Sequence, residues 1–173
     1  MKNPSYHNLG DHSESVQIDI DPSRVSYREL VDIFWKSHDP SRRSWSRQYR
    51  AAIFYHSDTQ RVIAVEARNA VARLSNGEIA TAIEPYSEFY IAEDYHQKHS
   101  LRFFPEIMKE FTERYPDMKS LLKSSAATRV NGYLGGYGSC EYMKDEIDDF
   151  GLSDNAKRQL TAIVCKSSTS TAP

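Results

Sequence analysis

Hydrophobic and polar positions change their period several times along this chain, and each change marks a boundary. From Glu14 to Ile20 they alternate, with Val16, Ile18 and Ile20 on one side and Ser15, Gln17 and Asp19 on the other, which predicts a half-buried strand. Asp21-Pro22 ends it. Ser26-Tyr27-Arg28-Glu29 then reads as a capping box, the serine accepting from first-turn amides and the glutamate reaching back. Tyr27, Leu30, Val31, Phe34 and Trp35 follow at helical spacing, and the helix must stop near Asp39-Pro40 because proline disfavours helical torsions in the residue before it. A polar loop, Ser41 to Arg47, leads to the nearly continuous apolar run Tyr49 to Tyr55, which predicts a strand covered on both faces and central in its sheet.

Ser57-Asp58-Thr59-Gln60 repeats the capping logic and opens a second helix, on which Ile63, Ala67, Ala70, Val71 and Leu74 share a face until Asn76-Gly77 ends it. Ile79, Ile83 and Phe89-Tyr90-Ile91 read as strand and strand-like loop, and Ala92 to Gln97 enters another helix. Beyond Pro105 the pattern breaks into short helical pieces split by Pro116 and by the glycine-rich stretch Asn131 to Gly138, which reads as a loop. Two helices are predicted after it. One turns Met143, Ile147 and Phe150 inward with Gly151 as its cap, and the other opens at Ser153 with Leu160, Ile163 and Val164 inward. The expected organisation is one α+β domain over residues 1–166 and a disordered tail over 167–173.

Composition narrows the chemistry. The 173 residues, 39% of them hydrophobic, suffice for a single core. A net charge of -2 gives no electrostatic reason to expect nucleic acid or a membrane surface as partner. Cys140 and Cys165 are too few and too late in the chain for the disulfide framework of a secreted domain, so a reducing compartment is expected, and Cys165, near the end of the last apolar helix face, reads as a packing residue or as incidental. The polar start, MKNPSYHNLGDHSE, has neither an apolar signal run nor an Arg-rich amphipathic stretch, and the expected location is cytoplasmic.

Two clusters carry polar groups in suggestive density. Tyr6 and Glu14 flank the turn into the first predicted strand, with Asp11 and His12 between them; a carboxylic acid beside phenols can donate a proton to a polar oxygen, provided burial keeps it protonated. An ordinary surface glutamate at a strand end is the competing reading. In Glu93-Asp94-Tyr95-His96-Gln97 the spacing puts Asp94 and His96 on different helix faces and no second ligand motif accompanies them, so capping and hydrogen bonding are expected and a metal is not. Cys140 reads either as a small buried hydrophobe or as an accessible thiol on a flexible arm.

Taken together and in this order, NPSYHNLGDHSE, SYRELVDIFWKSHDPSR, QYRAAIFYH, EIATAIEP and FYIAEDYHQK resemble the methionine sulfoxide reductase A family, from Asn3 to about His99 and more loosely through NGYLGGYGSCE. The resemblance implies an α+β fold of ferredoxin-like type, a mixed sheet with packed helices, monomeric, followed by a helical and coil arm. It implies reduction of methionine-S-sulfoxide, free or in peptides, with no resident cofactor. Tyr6 and Tyr49 would orient the sulfoxide oxygen and Glu14 would protonate it, with Asp94 and His96 on the substrate side. A thiolate would attack sulfur, and Cys140 would be the resolving thiol, recycled by an external thioredoxin-type reductant. The family's nucleophile sits in a Gly-Cys-Phe-Trp-Gly segment upstream of the NPSY-like region, and this sequence contains no such segment. The expectation is therefore a chain with the oxygen-binding side of the site and no turnover of its own; the alternative is a non-catalytic isoform or a binding module for oxidised peptides.

Overall fold

The computed structural model describes residues 10–75 and 78–167. Tyr6, the Asn76-Gly77 stop and the tail beyond residue 167 lie outside the described residues. The chain divides into two compact units, Met1–Ile91 and Ala92–Pro173.

In the first unit, helix α1 (Tyr27–Lys36) starts at the predicted capping box: Ser26 Oγ accepts from the Glu29 amide and the Glu29 carboxylate accepts from the Ser26 amide. The Ser26 amide and then the Ser26 hydroxyl, both donating to that carboxylate, hold the Glu29 carboxyl below its ordinary value. Strand β1 (Ala52–Tyr55) runs into helix α2 (Asp58–Leu74), whose Ser57 cap accepts from the Gln60 amide while Gln60 Oε1 accepts from the His56 amide. Strand β2 (Ala82–Pro85) then returns parallel to β1, with Ala52 opposite Ala82 and Tyr55 opposite Pro85. Parallel neighbours need a crossover, and α2 supplies it. Val31, Trp35 and Ala67 are buried where α1 meets α2, with Tyr27, Phe34, Ile53, Val71 and Ile79 packed around them.

Several expectations for this unit are corrected. Residues 14–20 form no strand; Val16 and Ile18 are 86% and 61% exposed, because no neighbouring strand among the described residues lends the alternation a face to bury. β1 is shorter than the run Tyr49 to Tyr55, is half-buried throughout, and has β2 as its partner among the described residues rather than a central place. On α2 the inward side is Ala64 and Ala67, while Leu74 is 90% exposed. Phe89-Tyr90-Ile91 is irregular, and in the second unit the helix predicted from Ala92 is one 3-10 turn, Asp94–His96.

The second unit is helical: α3 (His99–Arg102), α4 (Pro105–Arg114), α5 (Met118–Lys123), α6 (Ser125–Leu134), α7 (Cys140–Glu146), a 3-10 turn (Ile147–Phe150) and α8 (Asp154–Ser167). Leu101, Ile107, Phe111, Leu121, Val130, Met143, Phe150 and Leu160 fill its core. Gly151 ends the 3-10 turn at φ 65, and Ser153 Oγ accepts from the Ala156 amide to open α8, both as the sequence predicts. Asn131 to Leu134, expected in a loop, belongs to α6: burying Val130 and Tyr133 overrides the weak helix propensity of Gly132, and Gly135 caps the helix. Among the described residues no helix is long and apolar enough to cross a membrane.

Candidate functional site

The loop between α1 and β1 is tied at both ends before it reaches the polar cluster. His38 at the end of α1 donates through Nδ1 to the Phe34 carbonyl, 2.8 Å, and its Nε2 accepts from the buried Thr81 hydroxyl, 2.8 Å. The Pro40 carbonyl accepts from the Ala80 amide at 2.8 Å. The loop thus leaves α1 attached to the start of β2, and its far end brings Arg47, Gln48, Tyr49 and Arg50 beside Ser13 and Glu14.

There the two segments are stitched together. The Glu14 amide donates to the Gln48 carbonyl at 2.9 Å, and Ser13 Oγ donates to the Arg47 carbonyl at 2.9 Å. Gln48 Nε2 donates to Glu14 Oε1 at 2.8 Å and to the Tyr49 hydroxyl at 3.0 Å, so one side-chain amide spans the carboxylate and the phenol. Tyr49 also lies against Trp45, ring centroids 5.4 Å apart. Behind this face, Arg50 makes a two-pronged ion pair with Glu84, 2.5 and 2.6 Å, and its Nε donates to Ser13 Oγ at 3.0 Å. That pairing holds the Glu84 carboxyl below its ordinary range and raises Arg50.

Of the residues singled out in the sequence, the structure brings together Glu14 and Tyr49. Both are exposed, Tyr49 at 44%, so among the described residues the burial expected around Glu14 is not present. Tyr6 falls outside the described residues. His12 packs edge-on to Tyr90, centroids 5.4 Å apart. Asp94 and His96 lie in the second unit, in a 3-10 turn whose Asp94 and Gln97 carbonyls accept from the Arg102 guanidinium; the His96 ring packs against Tyr95 at 4.2 Å. Sequence reasoning missed Ser13, Gln48, Arg50 and Glu84. The available signal was an isolated basic residue entering an apolar strand and an acidic one in the next, which calls for an ion pair.

Cys140 and Cys165 are joined, Sγ to Sγ 2.07 Å and Cα to Cα 4.8 Å, so Cys165, which packs against the helical core as expected, also forms a bridge that was not expected. Their 25-residue separation carried no sign of this; the antiparallel return of α7 onto α8 creates it. Cys140 is the first residue of α7, whose Ser139 cap accepts from the Tyr142 amide. It follows a turn in which Gly136 and Gly138 have φ 85 and 94. Gly138 lies on the Tyr133 ring, where an added Cβ would come within 2.6 Å of Cε1. The Tyr133 hydroxyl donates to Glu146, which Arg129 also pairs, and burial followed by that carboxylate raises the Tyr133 phenol.

Residues 1–129 match the family described as peptide methionine sulfoxide reductase. The chain belongs to that family. Residues 117–163 also match the helical domain of selenoprotein methionine sulfoxide reductase A, in line with the helical part of the expected C-terminal arm. The peptide methionine sulfoxide reductase of Drosophila melanogaster is 34% identical over 157 residues, 90% of this chain and 63% of that protein. Peptide methionine sulfoxide reductase A5 of Arabidopsis thaliana is 36% identical over 138 residues, covering 76% of this chain and 53% of its own length. The enzyme of Methanothermobacter thermautotrophicus is 41% identical over 110 residues, covering 57% and 65%. The chain spans about three fifths of the length of these curated relatives.

Proposed function

We propose that this chain provides the oxygen-binding side of a methionine-S-sulfoxide reductase and the dithiol that recycles it. The observation that carries the reading is that Glu14 meets Gln48, 34 positions further along the sequence, which also bonds the neighbouring Tyr49. A sulfoxide oxygen only accepts hydrogen bonds, and it must gain protons to leave as water. Tyr49 and Tyr6 orient it, and Glu14, desolvated when a substrate covers it, gives the proton. A thiolate from a Gly-Cys-Phe-Trp-Gly segment, which this sequence does not contain, attacks sulfur and becomes a sulfenic acid. The Cys140 thiolate then displaces hydroxide, lost as water, to form a disulfide with it. Cys165 next attacks Cys140, releasing the first thiolate and leaving the Cys140–Cys165 bridge, which an external dithiol of thioredoxin type reduces.

The test joins a Gly-Cys-Phe-Trp-Gly segment of the family upstream and measures single-turnover reduction of a methionine-S-sulfoxide peptide. Glu14→Gln should slow it on the order of 10²-fold or more, because the amide hydrogen-bonds the oxygen without supplying an acidic proton; an unaltered rate removes Glu14 from the mechanism. Without that segment no turnover with dithiothreitol is expected. One observation favours a second reading, a binding module for oxidised peptides: Trp45, 86% exposed, stands against Tyr49 as an apolar wall beside the polar groups. Titrating the chain with sulfoxide and unoxidised peptides decides it, since a binding module prefers the sulfoxide without any thiol.

A further inference from the structure

We propose that Arg50 is a positioning residue for Glu14, acting through Ser13 and held in place by Glu84. The inference rests on the reading of Glu14 as proton donor. Glu14 itself is exposed and lies on irregular backbone that leads directly to Val16, 86% exposed. Such a segment has no ladder to fix it, and each unfixed residue retains its backbone freedom. A proton donor must nevertheless stand within hydrogen-bond reach of one oxygen, so its placement has to be imposed from elsewhere.

Arg50 is the group that can impose it. Its side chain is 20% exposed, and Nη1 and Nη2 engage both oxygens of Glu84 on β2. This two-point contact fixes the plane of the guanidinium, and with the plane fixed Nε has a single direction, toward Ser13 Oγ at 3.0 Å. Ser13 Oγ then has its proton committed to the Arg47 carbonyl at 2.9 Å. The hydroxyl is held as acceptor on one side and donor on the other, and the next amide, that of Glu14, closes onto the Gln48 carbonyl. The position of β2 is thereby transmitted through Glu84, Arg50 and Ser13 to the peptide that carries the carboxylate. Gln48 completes the arrangement by setting the spacing of that carboxylate from Tyr49. Lysine at position 50 could pair with Glu84 but offers no fixed third donor for Ser13.

The experiment reads the chain itself first, by amide hydrogen exchange. Ser13→Ala and Arg50→Lys should each speed exchange at the Glu14 amide by ~10-fold or more while the Leu30 and Arg61 amides keep their rates, and Ser13→Thr, which retains the hydroxyl, should restore protection. Unchanged exchange at Glu14, or equal acceleration at all three amides, overturns the proposal. A second arm uses the chain joined to the upstream nucleophile segment. There Ser13→Ala should lower kcat on the order of 10-fold with KM changed less, and should add nothing once Glu14 is already Gln. Full additivity with Glu14→Gln also overturns it. The exchange arm judges the brace whatever Glu14 does in the reaction, and the Glu14→Gln rate alone judges the proton-donor reading.

Discussion

The two units of this chain bury their apolar residues to very different extents. In the helical unit, Leu101, Ile107, Phe111, Val130, Met143 and Leu160 reach zero exposure, and the Cys140–Cys165 bridge ties α7 to α8 over that core. In the first unit, Val31, Trp35 and Ala67 are the buried cluster, while Val16, Ile18, Ile33, Trp45, Leu74 and Ile91 are more than half exposed. The polar cluster of Glu14 and Tyr49 sits in the second kind of surroundings. A helical bundle closes its core with contacts near in sequence, whereas a two-stranded sheet with one crossover leaves faces and edges that only other elements can cover. Order at the polar cluster therefore depends on hydrogen bonds more than on burial.

The contrast can be broken most forcefully from the helical side. Phe111→Ala should cost about 3–5 kcal/mol, since its neighbours are fully packed, and Trp35→Ala should cost less because the partly buried residues around it can close in or admit water. Denaturant-dependent amide exchange, read separately in α1 and α6, measures both; equal costs would show that the first unit is as tightly packed as the second. Reducing the bridge comes next. It closes a loop of 25 residues' separation, so its loss should destabilise the helical unit by about 3 kcal/mol without changing α1. Melting with and without dithiothreitol, with Cys165→Ser as control, checks this.

A smaller effect distinguishes the first unit by pH. Arg50 holds the Glu84 carboxyl below its ordinary value of 4.5, so the pair's contribution is fully present above that value and is lost as pH falls through the lower folded one. Protection of the Glu14 amide should fall in that acidic window in the natural chain and show no such step in Glu84→Gln. The loss should be modest because the pair is partly solvated. Smallest of all, Leu74→Ser should stay within about 0.5 kcal/mol, since Leu74 is 90% exposed at the end of α2, yet it should reduce binding of a hydrophobic dye. A cost above 1 kcal/mol would mean that this leucine is covered in solution.

Local signals in the sequence located α1, α2, α7 and α8. Ser26 with Glu29, Ser57 with Gln60, Gly151 and Ser153 each act within one helical turn, so the residues that make the bond are the residues that can be read. Glu14 and Tyr49, which Gln48 joins in space, were singled out through the resemblance of motifs. The misreadings share one cause. Whether Val16, Ile18 and Ile20 form a strand depends on a partner to pair with, and whether Asn131 to Leu134 stay helical depends on the core that receives Val130 and Tyr133.

The sequence by itself determined where α1, α2 and α8 begin and where Gly151 ends a turn, because capping and backbone torsion are decided by neighbours three or four residues away. Only the tertiary structure decided that Cys140 meets Cys165, that Gln48 spans Glu14 and Tyr49, and that Arg50 reaches both Glu84 and Ser13. Each of those contacts joins residues 25 or more positions apart, apart from the adjacent pair Gln48 and Tyr49, and such distances are set by chain return and packing, which no local pattern encodes.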